Sequence, residues 1–353
     1  MPRVSRSVRD ALFEAQKLAF APVAFQVARV ARDRGLLAAL RTGGRLGRTL
    51  EELIEETGLN RYATLTLLEA GVSFGLSQRL ETGRWILTAT GYMVETDPMT
   101  RVNMDFIHDV CYRGLFHLEE ALTEGRPAGL RVFGPWSTIY EALPHLPPDV
   151  QKSWFNFDHF YSDGAFDRAL DHVFTRKPGR ILDIGGNTGR FSVAACARDP
   201  RVRITLVDLP GQLDVARKHV TEAGVEDRVT LQDVDVLDPS ARFPPEHDAI
   251  WMSQFLVCFS LEENERILHT AREAMSSTTD LWILDTFWDR TPNTIAQYCL
   301  HGTSPYFTAL ANGNSRVYAF DDQRAAIEKA GLMVAEVFEG LGLGHTLVRC
   351  TRV

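Results

Sequence analysis

The sequence predicts an α/β chain in two parts: a mainly α N-terminal region, then a doubly wound, mainly parallel sheet. Three observations carry this. From Arg180 the chain repeats strand, loop and helix, the alternation that builds a parallel sheet covered on both faces. RILDI (180–184) and RITLVDL (203–209) are short apolar runs of the kind buried on both sides. Before Arg180 the apolar residues recur mostly at helical spacing. At 353 residues the chain is also long for one core, which favours more than one domain.

Between Val8 and Leu40, apolar residues at Leu12, Ala15, Leu18, Val23, Val27 and Val30 predict one or two long amphipathic helices, whose apolar face must be buried against something. TLEELIEETGL (49–59) carries a Thr N-cap, early acids and a late Gly, the marks of a short helix. NRYATLTLLEAGVSFGL (60–76) is a second helix capped by Asn60. SQRLETGRWILTATGYMV (77–94) reads as two strands around Glu81-Thr82-Gly83. Helix, helix, two-stranded wing is a winged-helix arrangement, which raises DNA binding. The second helix would expose Arg61, Tyr62, Thr64 and Glu69, one cation where reading a groove needs several. Helix packing for dimerisation is the better expectation.

Residues 98–176 read as a helical connector broken by Pro127, Pro135 and PHLPPD (144–149). Beyond it, GRFSVAACARD (189–199) and PGQLDVARKHVTEAG (210–224) are helices. Later strands are RVTLQDVD (228–235), HDAIWMSQFL (247–256, its apolar run ending at Leu256), TDLWILDTF (279–287), MVAEVFEG (333–340) and HTLVRC (345–350). The last of these closes the sheet as a hairpin, where His345 is structural.

Composition narrows the function. Hydrophobic residues at 45% and charged at 24% describe an ordinary globular protein. A net charge of −8 argues against a nucleic-acid footprint, although residues 1–50 hold ten Lys/Arg against three Asp/Glu. That basic excess reads as a solvated helix face. Cys111, Cys196, Cys258, Cys299 and Cys350 form no metal-ligand or disulfide spacing, so no metal is expected. No signal peptide or membrane span is visible, and a cytoplasmic location is the expectation.

ILDIGGNTGRF (181–191) places Asp183, Gly185, Gly186, Asn187 and Gly189 between a strand and a helix, where backbone can approach a ligand closely. A dinucleotide fingerprint would put glycines at 185, 187 and 190, but Asn187 and Arg190 stand there. A phosphate loop would need Gly-Lys-Ser/Thr, and there is no Lys. Asp208 ends the second strand, where a carboxylate can accept both ribose hydroxyls. Asp235, with Asp233 and Asp238 as competitors, ends the third strand and suits an adenine amino group. Asp183 suits a cationic amino-acid moiety. Three acids, a glycine turn and no phosphate ligand describe a positively charged nucleoside, and S-adenosylmethionine fits.

LDIGGNTG, VDLPG, DVDVLD and WMSQFLVCFSLEE, in this order, resemble the plant-type and bacterial small-molecule O-methyltransferase family over nearly the whole chain. The resemblance implies a class I, Rossmann-like methyltransferase domain over 177–353, a winged-helix dimerisation domain over 1–110 and a connector over 111–176 that helps form the substrate pocket. It implies a homodimer that takes S-adenosylmethionine, releases S-adenosylhomocysteine and modifies a small aromatic substrate, with no nucleic acid or membrane partner. Carried over residue by residue, Asp183, Gly185, Gly186 and Gly189 match the family loop and Asn187 replaces its middle glycine. Asp208 with Leu209 matches the ribose contact, and Asp235 with Val236 the adenine contact. Ser162 matches a serine near the methionine carboxylate, and Ser253 stands where the family often has a cofactor-contacting lysine.

The family places a catalytic histidine just after the WMSQFL strand, but this chain has Val257, Cys258 and Phe259 there. The glutamates that orient that histidine have no clear match near Arg316 and Val317. His159 is the leading candidate for a replacement base and His301 the second. Alternatively, positioning alone suffices for an acidic acceptor, the methyl goes to carbon, or transfer is replaced by a non-methylating reaction with bound cofactor. Cys258 reads as a small apolar filler. The expected acceptor walls are Phe155, Asn156, Trp288, Tyr306 and Asn312, within segments rich in aromatics and amides.

Overall fold

The computed structural model describes residues 7–291 and 293–353, so the first six residues of the expected N-terminal domain lie outside it. The chain divides into two compact units, one ending at Asp105 and the other running from Phe106 to Val353.

In the first unit the N-terminal pattern resolves into three helices rather than one or two: α1 (Val8–Ala19), α2 (Ala21–Asp33) and α3 (Leu36–Thr42). Gly35, at φ +76°, turns the chain between the last two. Helices α4 (Leu50–Thr57) and α5 (Arg61–Ser73) follow, then the antiparallel pair β1 (Ser77–Arg79) and β2 (Trp85–Leu87). Leu36, Leu37, Leu40, Leu53, Leu68 and Trp85 form the core. The expected second strand stops at Leu87, because Thr88 accepts the Gly91 N–H and starts α6 (Ala89–Thr96), which leads to α7 (Pro98–Phe106). On α5, Thr64 is buried rather than exposed, and the one cation, Arg61, pairs with Glu51 at 3.1 Å. No residue of α1 is buried: Val8, Leu12, Phe13 and Leu18 are all exposed.

In the second unit, α8 (Leu118–Glu124) and the one-turn α9 (Ile139–Ala142) precede the 26-residue α10 (Pro148–Val173). The sheet is built from β3 (Arg180–Ile184), β4 (Arg203–Asp208), β5 (Val229–Asp233), β6 (Ala249–Ser253), β7 (Asp280–Asp285), β8 (Leu332–Leu341) and β9 (His345–Arg352). Its order is β5-β4-β3-β6-β7-β9-β8; the first five strands are parallel, and β9 runs antiparallel to both neighbours. Helices α11 (Arg190–Arg198), α12 (Pro210–Glu222), α13 (Leu261–Ala274), α14 (Thr294–Tyr306) and α15 (Phe320–Lys329) complete the unit. β6 ends at Ser253, not Leu256; Gln254 then adopts φ +47° and Leu256–Cys258 form a tight turn.

Strand alternation splits the core. Ile181, Leu206, Trp251, Trp282 and Leu284 pack with Phe166 of α10 and Phe191 of α11, where the Phe191 and Trp251 rings stack at 4.0 Å. Leu182, Val207, Met252 and Ile283 face Ile267, Leu268 and Phe320. A third cluster joins Phe106, Trp154, Val257, Tyr306, Phe307 and Val317 beyond the strand ends. Strand order reverses between β3 and β6, and parallel sheets bind ligands at the carboxyl ends flanking such a reversal.

Thr49 and Glu52 form a reciprocal capping box at the start of α4, at 3.2 and 2.8 Å. Thr49→Ala should lower the unfolding free energy by about 1 kcal/mol in urea denaturation. An unchanged midpoint would show that the cap does not limit stability.

Candidate active site

The site assembles where β3, β4, β6 and β7 end. Residues 185–189 turn the chain out of β3, with Gly185, Asn187 and Gly189 at φ +70°, +48° and +77°. A Cβ on Gly185 would lie 2.1 Å from the Phe255 ring, and one on Gly186 would lie 2.5 Å from Leu206. These glycines therefore answer close packing as well as backbone freedom. Asn187 occupies a left-handed position that Asn tolerates better than most residues.

Three carboxyl groups lie at this bend, and a fourth ends β7 two strands away. Asp183 is 2% exposed and accepts the Ser192 hydroxyl at 2.7 Å; burial lifts its pKa to about 7. Asp208 accepts the N–H of Asn187 at 2.8 Å and of Leu209 at 2.7 Å, yet burial still outweighs both and holds it at about 6. Asp158, on α10, accepts Asn187 Nδ2–H at 3.1 Å and is also raised by burial. Asp285, at the end of β7, is 3% exposed and is lifted to about 7 by burial, against backbone N–H bonds from Thr286 and Val257. An ionised carboxylate away from water needs a cation or several donors, so these groups together favour a positively charged guest.

The predicted residues divide into several groups. Ser162 is buried on α10 and donates to Asp163 at 3.0 Å, and Arg190 also pairs with Asp163. Ser253 is half-buried at the end of β6. Asp235 lies in the turn after β5, exposed, accepting the Leu237 N–H at 2.9 Å; β5 itself ends at Asp233. Val236 packs against the core beneath it. His159 lies against the loop: its Nε2 is 3.4 Å from Thr188 Oγ1, its Nδ1 is 3.7 and 3.6 Å from Asp158 and Asp163, and its ring stacks on Phe155 at 5.9 Å. His301 is exposed on α14 with its ring 5.0 Å from Trp288. Asn156 is exposed on α10.

Phe155 and Trp288 border the cluster around Val257 and Tyr306, where Trp154 Nε1–H donates to the Tyr306 hydroxyl at 2.8 Å. The Asn312 amide donates to the Cys258 carbonyl, which fixes the turn after β6. Burial pushes the Cys258 thiol well above its usual range, which suits an inert filler. Tyr318 is core, donating to the Phe259 carbonyl at 2.7 Å, while Tyr298 is exposed. His345 is fully buried with neither ring nitrogen partnered, and burial lowers it to about 4.

Sequence reasoning overlooks Asp285 and Phe255, and takes Asp158 only as a structural partner of His159. Asp285 carries the strand-end signal already used for Asp208. Asp158 gives no such signal, because only folding brings α10 to the glycine bend. Among the described residues no cluster of His, Cys, Asp or Glu could hold a metal, and no helix is long and apolar enough to cross a membrane.

A family model for the O-methyltransferase domain matches residues 116–332, and one for a Dimerisation2-like domain matches residues 13–85. The chain is 25% identical to the L-tyrosine C(3)-methyltransferase of Streptomyces lavendulae, covering 88% of this chain and 84% of that one. It is 29% identical to the aclacinomycin 10-hydroxylase RdmB of Streptomyces purpurascens, covering 75% and 69%. The apo structure of the S-adenosylmethionine-dependent methyltransferase SibL superposes with a TM-score of 0.69 at 26% identity, covering 95% and 98%.

In an unfolded chain an aspartate ionises near pH 4, whereas Asp285 in the fold keeps its proton up to about 7. Folding therefore takes up a proton between those values, and this group's contribution to stability falls as pH rises through 7. Asp285→Asn cannot ionise, so it should gain stability relative to the parent across that interval in urea titrations. An offset between the two that stays constant with pH would show that the carboxyl does not titrate there.

Proposed function

Because the chain belongs to the O-methyltransferase family, we propose that it methylates a hydroxyl of a small hydroxylated aromatic or polyketide-like metabolite. It is an S-adenosylmethionine-dependent methyltransferase of the secondary-metabolism type. The observation that carries the site assignment is the gathering of carboxyls at the strand ends, with Asp158, Asp183 and Asp208 at the glycine bend and Asp285 two strands away; Asp183 and Asp285 are buried and the other two half-buried. Bound S-adenosylmethionine supplies an electrophilic methyl on a cationic sulfur, and S-adenosylhomocysteine is left behind.

In this reading Asp208, steadied by two backbone N–H groups, accepts the ribose hydroxyls with Leu209 beside it, while Asp235 and Val236 flank the adenine. Gly185, Gly186, Asn187 and Gly189 bring backbone close to the donor. Asp183 lies beneath it, and Ser162 and Ser253 offer hydroxyls at its edges. Phe155, Asn156, Trp288, Tyr306 and Asn312 shape the acceptor side, where aromatic surfaces suit a flat ring.

A phenol with a pKa of about 10 must lose its proton to attack, and Val257 cannot take it. His159 is the proposed acceptor of that proton. Its ring joins the loop to Phe155, and the carboxylates of Asp158 and Asp163 lie 3.7 and 3.6 Å from Nδ1. His301, exposed beside Trp288, is the second candidate. The apolar side chain at 257 also favours a second reading, methyl transfer to carbon or a non-methylating reaction. The relatives named for C(3)-methylation and 10-hydroxylation belong to that range. Mass spectrometry of products formed with labelled donor separates the readings.

The exposed apolar face of α1 and the Dimerisation2-like match support a homodimer formed through the N-terminal domain. The five cysteines, scattered along the sequence without disulfide spacing, fit the reducing cytoplasm we assign to it.

His159→Ala should cut turnover on a phenolic acceptor at least about tenfold and flatten the acidic limb of its pH–rate profile. An unchanged profile would remove His159 as the base. Leu12→Glu with Phe13→Glu should convert the dimer to monomer in sedimentation velocity; a single sedimenting species of unchanged size would place the dimer contact elsewhere.

A further inference from the structure

Asp208 ends β4 and Asp235 follows β5, so an adenosine seated on them leaves its remaining substituent running the opposite way along the sheet edge, over β3 toward β6. Along that path lie Asn187, Phe255 on Gly185, and Asp158 overhead on α10.

Asn187 is held from two sides. Its backbone N–H is bound to Asp208 at 2.8 Å and its Nδ2–H to Asp158 at 3.1 Å. Those bonds fix where the amide carbonyl points, and Oδ1 is buried with no hydrogen-bond partner. A buried acceptor left unmatched costs about 1–3 kcal/mol, so a donor is called for. Asp158 has a complementary deficit: burial raises its pKa, and the nearest permanent cation is occupied elsewhere. Arg190 pairs with Asp163, and His159 stands 3.7 Å away and is shared with Asp163.

We propose that Asn187 Oδ1 and the Asp158 carboxylate form a clamp for the ammonium group at the amino-acid end of the methyl donor. A primary ammonium brings three N–H donors and a full positive charge, which answers both deficits at once. Neither the sulfonium, which has no N–H, nor the neutral adenine amine does so. A glycine at 187 would keep the turn but supply no carbonyl, so this chain reads the donor's far end with a side chain where the family loop has none. The proposal rests on the donor reading above.

Calorimetric titration with two ligands tests it: S-adenosylhomocysteine, which carries the ammonium, and 5′-methylthioadenosine, which keeps the adenosine and thioether but lacks the amino-acid end. The parent protein should bind both, the first more tightly. Asn187→Gly relieves the positive φ, so loss of fold is not expected, and thermal unfolding checks this. In Asn187→Gly and, separately, Asp158→Asn, affinity for S-adenosylhomocysteine should fall about tenfold while that for 5′-methylthioadenosine stays within about twofold. Unchanged affinity for S-adenosylhomocysteine, or an equal loss for both ligands, overturns the clamp and leaves the donor reading standing. If the parent binds neither ligand, both fall.

Discussion

The active end of this molecule is organised by a charge imbalance. Asp158, Asp183, Asp208 and Asp285 gather at the carboxyl ends of the strands, two of them buried and two half-buried, and each is held above its ordinary pKa by desolvation. Two of them are steadied by backbone N–H groups, which a fold can supply without side-chain counterions. Desolvated carboxyls gain most from a partner that carries its own positive charge. The glycine bend itself is tightly packed, with Phe255 and Leu206 leaving no room for a Cβ at Gly185 or Gly186.

How much of this could be read in the chain depended on whether the signal was local. The parallel strands, the glycine bend and the Thr49 and Asn60 caps were legible because each is written within a few residues. The end of β6 was misjudged, because the apolar run to Leu256 outlasts the strand once Gln254 takes a left-handed backbone. Thr64 looked exposed by residue type, but its hydroxyl bonds to the Asn60 carbonyl at 2.9 Å and its methyl joins the interior. The partnership of Asp158 with Asn187 spans 29 residues and depends on where α10 lies over the sheet, and no periodicity announces that.

The acceptor side shows a different division of labour. Asn312 is occupied with the Cys258 carbonyl and Tyr306 with the Trp154 indole, so the polar groups nearest Val257 are bound to one another. They hold the wall rigid instead of pointing freely inward. Specificity for the acceptor then falls to shape and to the few groups left over, which is how a family with one donor site can serve many acceptors.

One contact at the end of β7 carries an evolutionary corollary. Asp285 is anchored by the main-chain N–H of residue 257, not by any side chain there. Exchange of the amino acid at that position leaves the anchor intact, so the side chain facing the acceptor side can change by mutation at a single codon without disturbing the buried acid behind it. The scaffold is thereby inherited independently of the group it presents at that point.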